Sequence, residues 1–255
     1  PMIYYPLSTL IASGINDILV ITTQKDLQLF QFLLKNGSQW GCNISYKIQQ
    51  NPNGIAEAFI LAEDFIGEDN VALILGDNIF YFPSLINVIS DSIQTQGSAI
   101  FAYHVANPSR YGVVEFTDSN QILSIEEKPR DPKSNYAIPG FYFFDSNVAT
   151  FAKQLKPSKR GELEITDLIL QYHHQNNLKV VKMDKGTAWL DTGTVNSLMN
   201  AAQFVQVLEK RQGLKVGCVE EQAYLMNYID DQQLKKIASQ FNNSYGEYLN
   251  SLLDG

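Results

Sequence analysis

Five apolar residues, Val71-Ala72-Leu73-Ile74-Leu75, run straight into Gly76-Asp77-Asn78. An unbroken apolar run ended by turn formers reads as a buried strand, and strands covered on both faces belong to the parallel sheets of α/β folds. Such sheets bind their ligands beyond the carboxyl ends of the strands. Asp77 stands at that end, next to a glycine that leaves room for a ligand. From this stretch alone, an ordinary turn or a cap for the next helix explains Gly-Asp-Asn equally well.

The flanking pattern supports an α/β fold. Asp17 to Thr23 is a β-branched run, Lys25 to Leu34 carries a helical apolar stripe, and Ile44 to Ile48 alternates like a strand. After the turn-rich loop Gln49 to Gly54, Ile55 to Ile66 reads as a helix ending at Gly67. Strand, helix and strand thus recur over the first ~80 residues, which predicts right-handed βαβ crossovers in a mainly parallel, mixed, Rossmann-like sheet flanked by helices.

Farther along, Leu85 to Ile93 reads as a helix and Ala99 to Val105 as a strand. Three short strands follow, at Tyr111 to Phe116, Ile122 to Glu126 and Gly140 to Phe144, with little helix between them. They predict antiparallel additions around a site. Helices are expected at Asn147 to Leu155, Glu164 to His173 and Val195 to Gln212, and strands at Leu178 to Met183 and Thr187 to Leu190. Three short helical patterns fill the tail. The expected organisation is an α/β domain over 1–219 and a small helical C-terminal segment over 220–255.

The start of the chain carries its own signal. Residues up to Ser13 read as a helix closed by Gly14, with Pro6 tolerable in the first turn. In βα order a strand should come before that helix, so the α/β domain is expected to be incomplete at its N-terminus.

Composition narrows the function. A formal net charge of −8 argues against a protein that grips a nucleic-acid backbone. It does not exclude a nucleotide, whose phosphates a metal ion and a few local cations can neutralise. Cys42 and Cys218 show no C-x-x-C or zinc spacing, and two isolated thiols fit a reducing compartment. No apolar run approaches the roughly 20 residues a bilayer requires, and no signal peptide is visible, so no membrane role and a cytoplasmic location are expected.

Two aspartates occupy matching places, Asp77 after Leu75-Gly76 and Asp191 before Thr192-Gly193. Neighbouring parallel strands would aim both carboxylates into one crevice. Two oxygen ligands completed by substrate phosphates are how Mg²⁺ is commonly held. Glu127-Lys128 also closes a strand. Its carboxylate can accept sugar hydroxyls and its ammonium can hold a phosphate, provided that the strand ends there, because adjacent strand residues face opposite ways. In the loop ending at Gly54, Gln49 offers an amide to a nucleotide base. Each of these features has a plain structural alternative as a turn, a cap or a solvated charge.

Taken together, these strings resemble the glucose-1-phosphate thymidylyltransferase family. The match runs through Pro1-Met2-Ile3-Tyr4-Tyr5-Pro6-Leu7, Gly37-Ser38-Gln39-Trp40-Gly41, Gly76-Asp77-Asn78-Ile79-Phe80-Tyr81 and Tyr111-Gly112-Val113-Val114-Glu115-Phe116. It continues through Glu126-Glu127-Lys128-Pro129, Gly161-Glu162-Leu163-Glu164-Ile165-Thr166-Asp167, Ala188-Trp189-Leu190-Asp191-Thr192-Gly193-Thr194 and Arg211-Gln212-Gly213-Leu214-Lys215-Val216. The resemblance implies a nucleotidyltransferase that joins dTTP and glucose 1-phosphate into dTDP-glucose and pyrophosphate. It also implies Asp77 and Asp191 as Mg²⁺ ligands, with catalytic roles for both and for Lys128. Gly112, Glu127 and Tyr142 would hold the sugar, Lys128 its phosphate, and Gln49 and Gly54 the thymine. A homotetramer is implied too.

The family's glycine-rich phosphate loop precedes the segment that matches Pro1. The 255 residues alone are therefore expected to be inactive. Leu225-Met226 stands where family members often carry a basic pair near a regulatory site. Two alternatives remain: the same fold acting on UTP or CTP, and a nucleotide-sugar-binding protein without catalysis.

Overall fold

The computed structural model describes residues 1–81 and 96–254. The helix expected over Leu85 to Ile93 lies outside the described residues. The chain begins with α1 (Tyr4–Ala12), β1 (Asp17–Thr22), α2 (Leu27–Leu34), β2 (Asn43–Ile48), α3 (Glu57–Leu61), α4 (Glu63–Ile66), β3 (Val71–Ile74) and β4 (Asn78–Tyr81). The middle holds β5 (Ser98–His104), β6 (Gly112–Phe116), β7 (Ile122–Glu127), β8 (Tyr136–Ala137), β9 (Phe141–Phe144), α5 (Val148–Ala152), α6 (Ile165–His174), β10 (Leu178–Lys182) and β11 (Ala188–Asp191). Four helices finish it: α7 (Val195–Gln212), α8 (Val219–Leu225), α9 (Asp231–Ala238) and α10 (Ser244–Ser251).

The α/β architecture with a mixed sheet and flanking helices is present, and the antiparallel share is larger than the sequence pattern suggests. Among the described residues, β1–β2 and β5–β10 pair in parallel. The ladders β3–β9, β5–β9, β5–β8, β6–β7, β6–β8 and β4–β11 are antiparallel. The strand expected to be buried from Val71 onward is short and only half-buried along its length, and its partner β9 runs antiparallel to it.

The strand β9 is an interior strand of the large sheet, between β3 and β5. Its sequence, Phe-Tyr-Phe-Phe, is buried throughout. Side chains of a strand alternate between faces, and accordingly Phe141 and Phe143 enter one hydrophobic cluster while Tyr142 and Phe144 enter the other. The first cluster also takes in α1, Trp40 and Val219, Leu234 and Leu249 of the C-terminal helices. Those helices are fastened by a buried carboxylate: Glu220 accepts from Trp40 Nε1 at 3.2 Å and from Tyr245 Oη at 2.6 Å.

Between β1 and β3 lies a cleft of about 370 Å³, lined by apolar side chains that include Ile18, Ile21, Val71 and Leu73. Gln49 and Gly76 also line it. The helix expected over Ile55 to Ile66 is split into α3 and α4 at Ala62. No helix among the described residues is long and apolar enough to cross a membrane.

Candidate functional site

Antiparallel pairing, not a shared parallel edge, brings the two aspartates together. In the β4–β11 ladder Asp191 is opposite Asn78, so Asp77, one step before β4, lies beside the end of β11. This corrects the expected parallel arrangement while keeping the pair. The backbone N–H and Oγ1 of Thr192 both donate to the Asp77 carbonyl, at 3.0 and 2.8 Å. Thr194 and Ser197 then form a reciprocal capping box that starts α7 directly after the Asp191 turn.

Gly193 measures how closely the carboxylates approach. A Cβ there would sit 3.0 Å from Asp191 Oδ1 and 3.4 Å from Asp77 Oδ2. Both oxygens therefore border one small gap that only a glycine leaves open. Asp77 is held from behind by Asn78, whose Nδ2 donates to Asp77 Oδ1 at 2.8 Å. The buried Asn78 in turn accepts from Trp189 Nε1 at 2.6 Å and from the Gly140 N–H at 3.1 Å. Its amide oxygen has no freedom to rotate away.

The donor set fits a hard divalent cation. Two carboxylates offer oxygen only, and among the described residues no group of three or more His, Cys, Asp or Glu forms a fuller cage. Mg²⁺ is bound in that manner, by one or two carboxylates with waters and substrate phosphates completing the octahedron. Asp191 Oδ2 also accepts from Arg110 Nη2 at 3.3 Å and from Tyr111 Oη at 3.2 Å. Burial, reinforced by the Asp191 charge, pushes the Tyr111 hydroxyl above its ordinary range.

A second corner forms around Glu127. β7 ends at Glu127, and Lys128 has a φ of +41°. That left-handed turn lets successive side chains share a side, and Lys128 Nζ lies 3.6 Å from Glu127 Oε1. A non-glycine residue in this conformation carries roughly 1–3 kcal/mol of strain, which clusters at functional positions. Gly112 is opposite Glu127 in the β6–β7 ladder. A Cβ on Gly112 would come within 2.9 Å of Thr166 Cγ2 and 3.6 Å of Glu127 Oε2, so this glycine keeps the space over the carboxylate open.

Thr166 Oγ1 donates to Glu127 Oε2 at 3.1 Å. Burial pushes the Glu127 carboxyl above the usual carboxylate range; Lys128 opposes that rise, Glu164 adds to it, and the Thr166 hydrogen bond and Arg160 oppose it. Burial raises the hydroxyl of the buried Tyr142 most, and the charges of Glu127 and Asp77 add to the rise.

The third corner is the loop after β2. Gln49 Nε2 donates to Glu57 Oε2 at 2.6 Å and to the Gly54 carbonyl at 3.2 Å. Gly54, at φ +108°, presses against the backbone of Leu163, which bonds back to the loop through Leu163 N–H to Asn53 carbonyl at 2.6 Å. Leu163 leads into α6 and Thr166, so this loop is tied to the Glu127 corner through backbone.

The structure thus joins Asp77 with Asp191, Gly112 with Glu127 and Lys128, and Gln49 with Gly54. Sequence reasoning missed Asn78, Arg110, Tyr111, Thr166 and Arg160. The last makes ion pairs with Glu162 at 2.6 Å and Glu164 at 3.0 Å. Arg110, Tyr111 and Thr166 carry no local signal, because their partners Asp191 and Glu127 are distant in sequence. The spacing of Arg160 to Glu162 and Glu164, by contrast, lies within reach of the sequence.

Comparison with known proteins gives the same picture. The nucleotidyl transferase family profile matches residues 1–207. The glucose-1-phosphate thymidylyltransferase of Mycolicibacterium smegmatis is 53% identical over 255 residues, spanning 100% of this chain and 88% of the relative. Its counterpart in Neisseria meningitidis is 51% identical over 99% of this chain and 88% of the relative. A Bacillus anthracis structure assigned to the same enzyme, in complex with sucrose, superposes with a TM-score of 0.73 at 39% identity, covering 80% of this chain and 82% of that one. UDP-glucose pyrophosphorylase bound to UDP-glucose shares the fold, with a TM-score of 0.70 at 24% identity over 83% of this chain and 88% of that one. With the fold, the strand-end aspartates and these relatives in agreement, the chain belongs to the glucose-1-phosphate thymidylyltransferase family of nucleotidyl transferases.

Proposed function

We propose that this protein transfers a thymidylyl group from dTTP to glucose 1-phosphate, releasing pyrophosphate. The observation that carries the reading is the convergence of Asp77 and Asp191 on one gap, with Gly112, Glu127 and Lys128 gathered at a second corner. The sugar phosphate oxygen attacks the α-phosphorus, a P–O bond forms, and the bond to the departing pyrophosphate breaks. Asp77 and Asp191 would hold Mg²⁺, which when bound neutralises phosphate charge.

The chain's own residues supply position and countercharge. Lys128 places an ammonium on the sugar phosphate, and Glu127 accepts hydroxyl hydrogens from the sugar. Gly112 admits the ring, Tyr142 supplies a wall with a polar tip, and Gln49 with the Gly54 backbone reads the base. Positioning and charge neutralisation carry most of the acceleration in phosphoryl-type transfers. The family resemblance further supports a homotetramer in the cytoplasm; sedimentation velocity tests the assembly.

Measuring kcat/KM for dTTP, UTP, CTP and ATP with glucose 1-phosphate tests the nucleotide. A preference for dTTP is expected; a preference for UTP or CTP would move the assignment to another sugar pyrophosphorylase. Turnover with none of them, alongside tight binding of dTDP-glucose, would indicate a binding protein.

Glu127 gives a pH prediction. Its folded-state pKa is raised, so the ionised form that accepts sugar hydroxyls is lost at a higher pH than for an ordinary carboxylate. The acid limb of kcat/KM for glucose 1-phosphate should therefore lie above the usual carboxylate range of about 4.3. A raised carboxyl pKa also means that the charged form costs stability above the folded pKa. Glu127→Gln is expected to remove that limb and lower kcat/KM about tenfold or more, the worth of a charge-assisted hydrogen bond. At pH 7 its Tm should match or exceed the parent's.

A further inference from the structure

Asp191 uses its two oxygens differently. Oδ1 accepts the Gly193 N–H at 2.9 Å and borders the gap toward Asp77, while Oδ2 takes Arg110 Nη2 and Tyr111 Oη. Arg110 closes the one-turn segment Pro108–Arg110, and among the described residues Asp191 is its one ion-pair partner. Its side chain is 49% exposed, against 14% for that of Asp191. A half-exposed cation therefore caps the solvent side of a mostly buried anion. The contact is single-pronged, and an ion pair this exposed is worth up to about fivefold in an equilibrium constant. That is enough to bias binding and too little to lock the site.

We propose that Arg110 is a counter-ion for Asp191 that makes cation binding at the Asp77–Asp191 pair conditional on phosphate. The proposal rests on the reading of that pair as a divalent-cation site. A divalent ion arriving alone meets a carboxylate already partly neutralised and a guanidinium that repels it. An ion arriving with a nucleoside triphosphate brings phosphate oxygens that the guanidinium fork can hold bidentately. Arg110 would then turn from Asp191 Oδ2 to the phosphate while the cation is held at the Asp77–Asp191 gap, and the repulsion on the free ion becomes attraction for the metal–triphosphate complex. A purely structural Arg110 would influence stability and leave cation affinity alone.

Mn²⁺ binding followed by electron paramagnetic resonance, on the full protein, separates these cases. R110Q is expected to bind free Mn²⁺ about three- to fivefold more tightly than wild type. With dTTP present the order reverses, because R110Q lacks the phosphate contact. R110K, which keeps the charge, should stay near wild type without nucleotide, and D191N should lose the free-ion site. Equal or weaker Mn²⁺ binding by R110Q, or a gain that persists with dTTP, overturns the role of Arg110 while leaving the aspartate pair in place. Wild type and D191N binding Mn²⁺ alike would overturn the pair as a cation site, and this proposal with it.

Discussion

Asp191→Asn is expected to lower kcat/KM for nucleotidyl transfer on the order of a thousandfold or more, the scale of removing a preorganised electrostatic contact at a reacting phosphate. The substitution keeps the size of the side chain and an oxygen to accept the Gly193 N–H, so the turn into α7 survives. What it removes is one of the two negative charges that border the Gly193 gap. The Thr194–Ser197 capping box and the hydrogen bonds of Thr192 to the Asp77 carbonyl do not involve the carboxylate, so Tm should move by no more than a few degrees. Pyrophosphate release and thermal denaturation, measured on the same preparation, check the two halves of this expectation. A fully active Asp191→Asn protein would remove Asp191 from the metal site.

The second large effect is expected at Gly54. Its φ of +108° suits glycine, and a Cβ there would meet the Leu163 carbonyl oxygen at 2.4 Å and the Leu163 nitrogen at 2.6 Å. Backbone atoms cannot rotate aside as a side-chain tip can. Gly54→Ala should therefore cost about 2–3 kcal/mol through backbone strain and displacement. For a chain of this size that lowers Tm by roughly 4–12 °C. The loop that must shift carries Gln49 on one side and is bonded through Leu163 to the segment entering α6 on the other. The KM for the triphosphate should thus rise more than that for glucose 1-phosphate. Calorimetry and steady-state kinetics test the pair of effects; an Ala variant of unchanged Tm and KM would show that the Gly54–Leu163 approach is not needed.

Element types were legible where local chemistry decides them. Thr194 and Gly213 bracket α7 with a cap at each end, and the structure places the helix over Val195–Gln212 as the pattern predicts. Partners were less legible. Residues 71–78 read as one strand into a turn, whereas the chain breaks at Leu75 and starts β4 at Asn78, whose register with β11 creates the aspartate pair. Hydrophobic period tells a strand from a helix but does not say which strand lies alongside or in which direction. β9 looked peripheral because it follows a run of short strands; four consecutive large apolar side chains were the sign that it is covered on both faces.

The candidate site divides in the same way. Asp77, Asp191, Glu127 and Lys128 stood out by their place at strand ends. That Glu127 and Lys128 share a side depended on a backbone angle of +41° that nothing short of the fold reveals. Asn78, with its amide locked by Trp189 and Gly140, resembled any turn asparagine. Arg110 and Thr166 act across 81 and 39 residues of chain, separations over which sequence spacing carries no geometric information.

The central claim is that Asp77 and Asp191 together position a metal-bound dTTP for attack by glucose 1-phosphate. The most direct measurement is pyrophosphate release by the protein expressed from its own gene, supplied with dTTP, glucose 1-phosphate and Mg²⁺. One pyrophosphate per dTDP-glucose is predicted, abolished by chelation of the metal and by Asp77→Asn or Asp191→Asn. Turnover that persists at full rate in either variant, or after chelation, would contradict it.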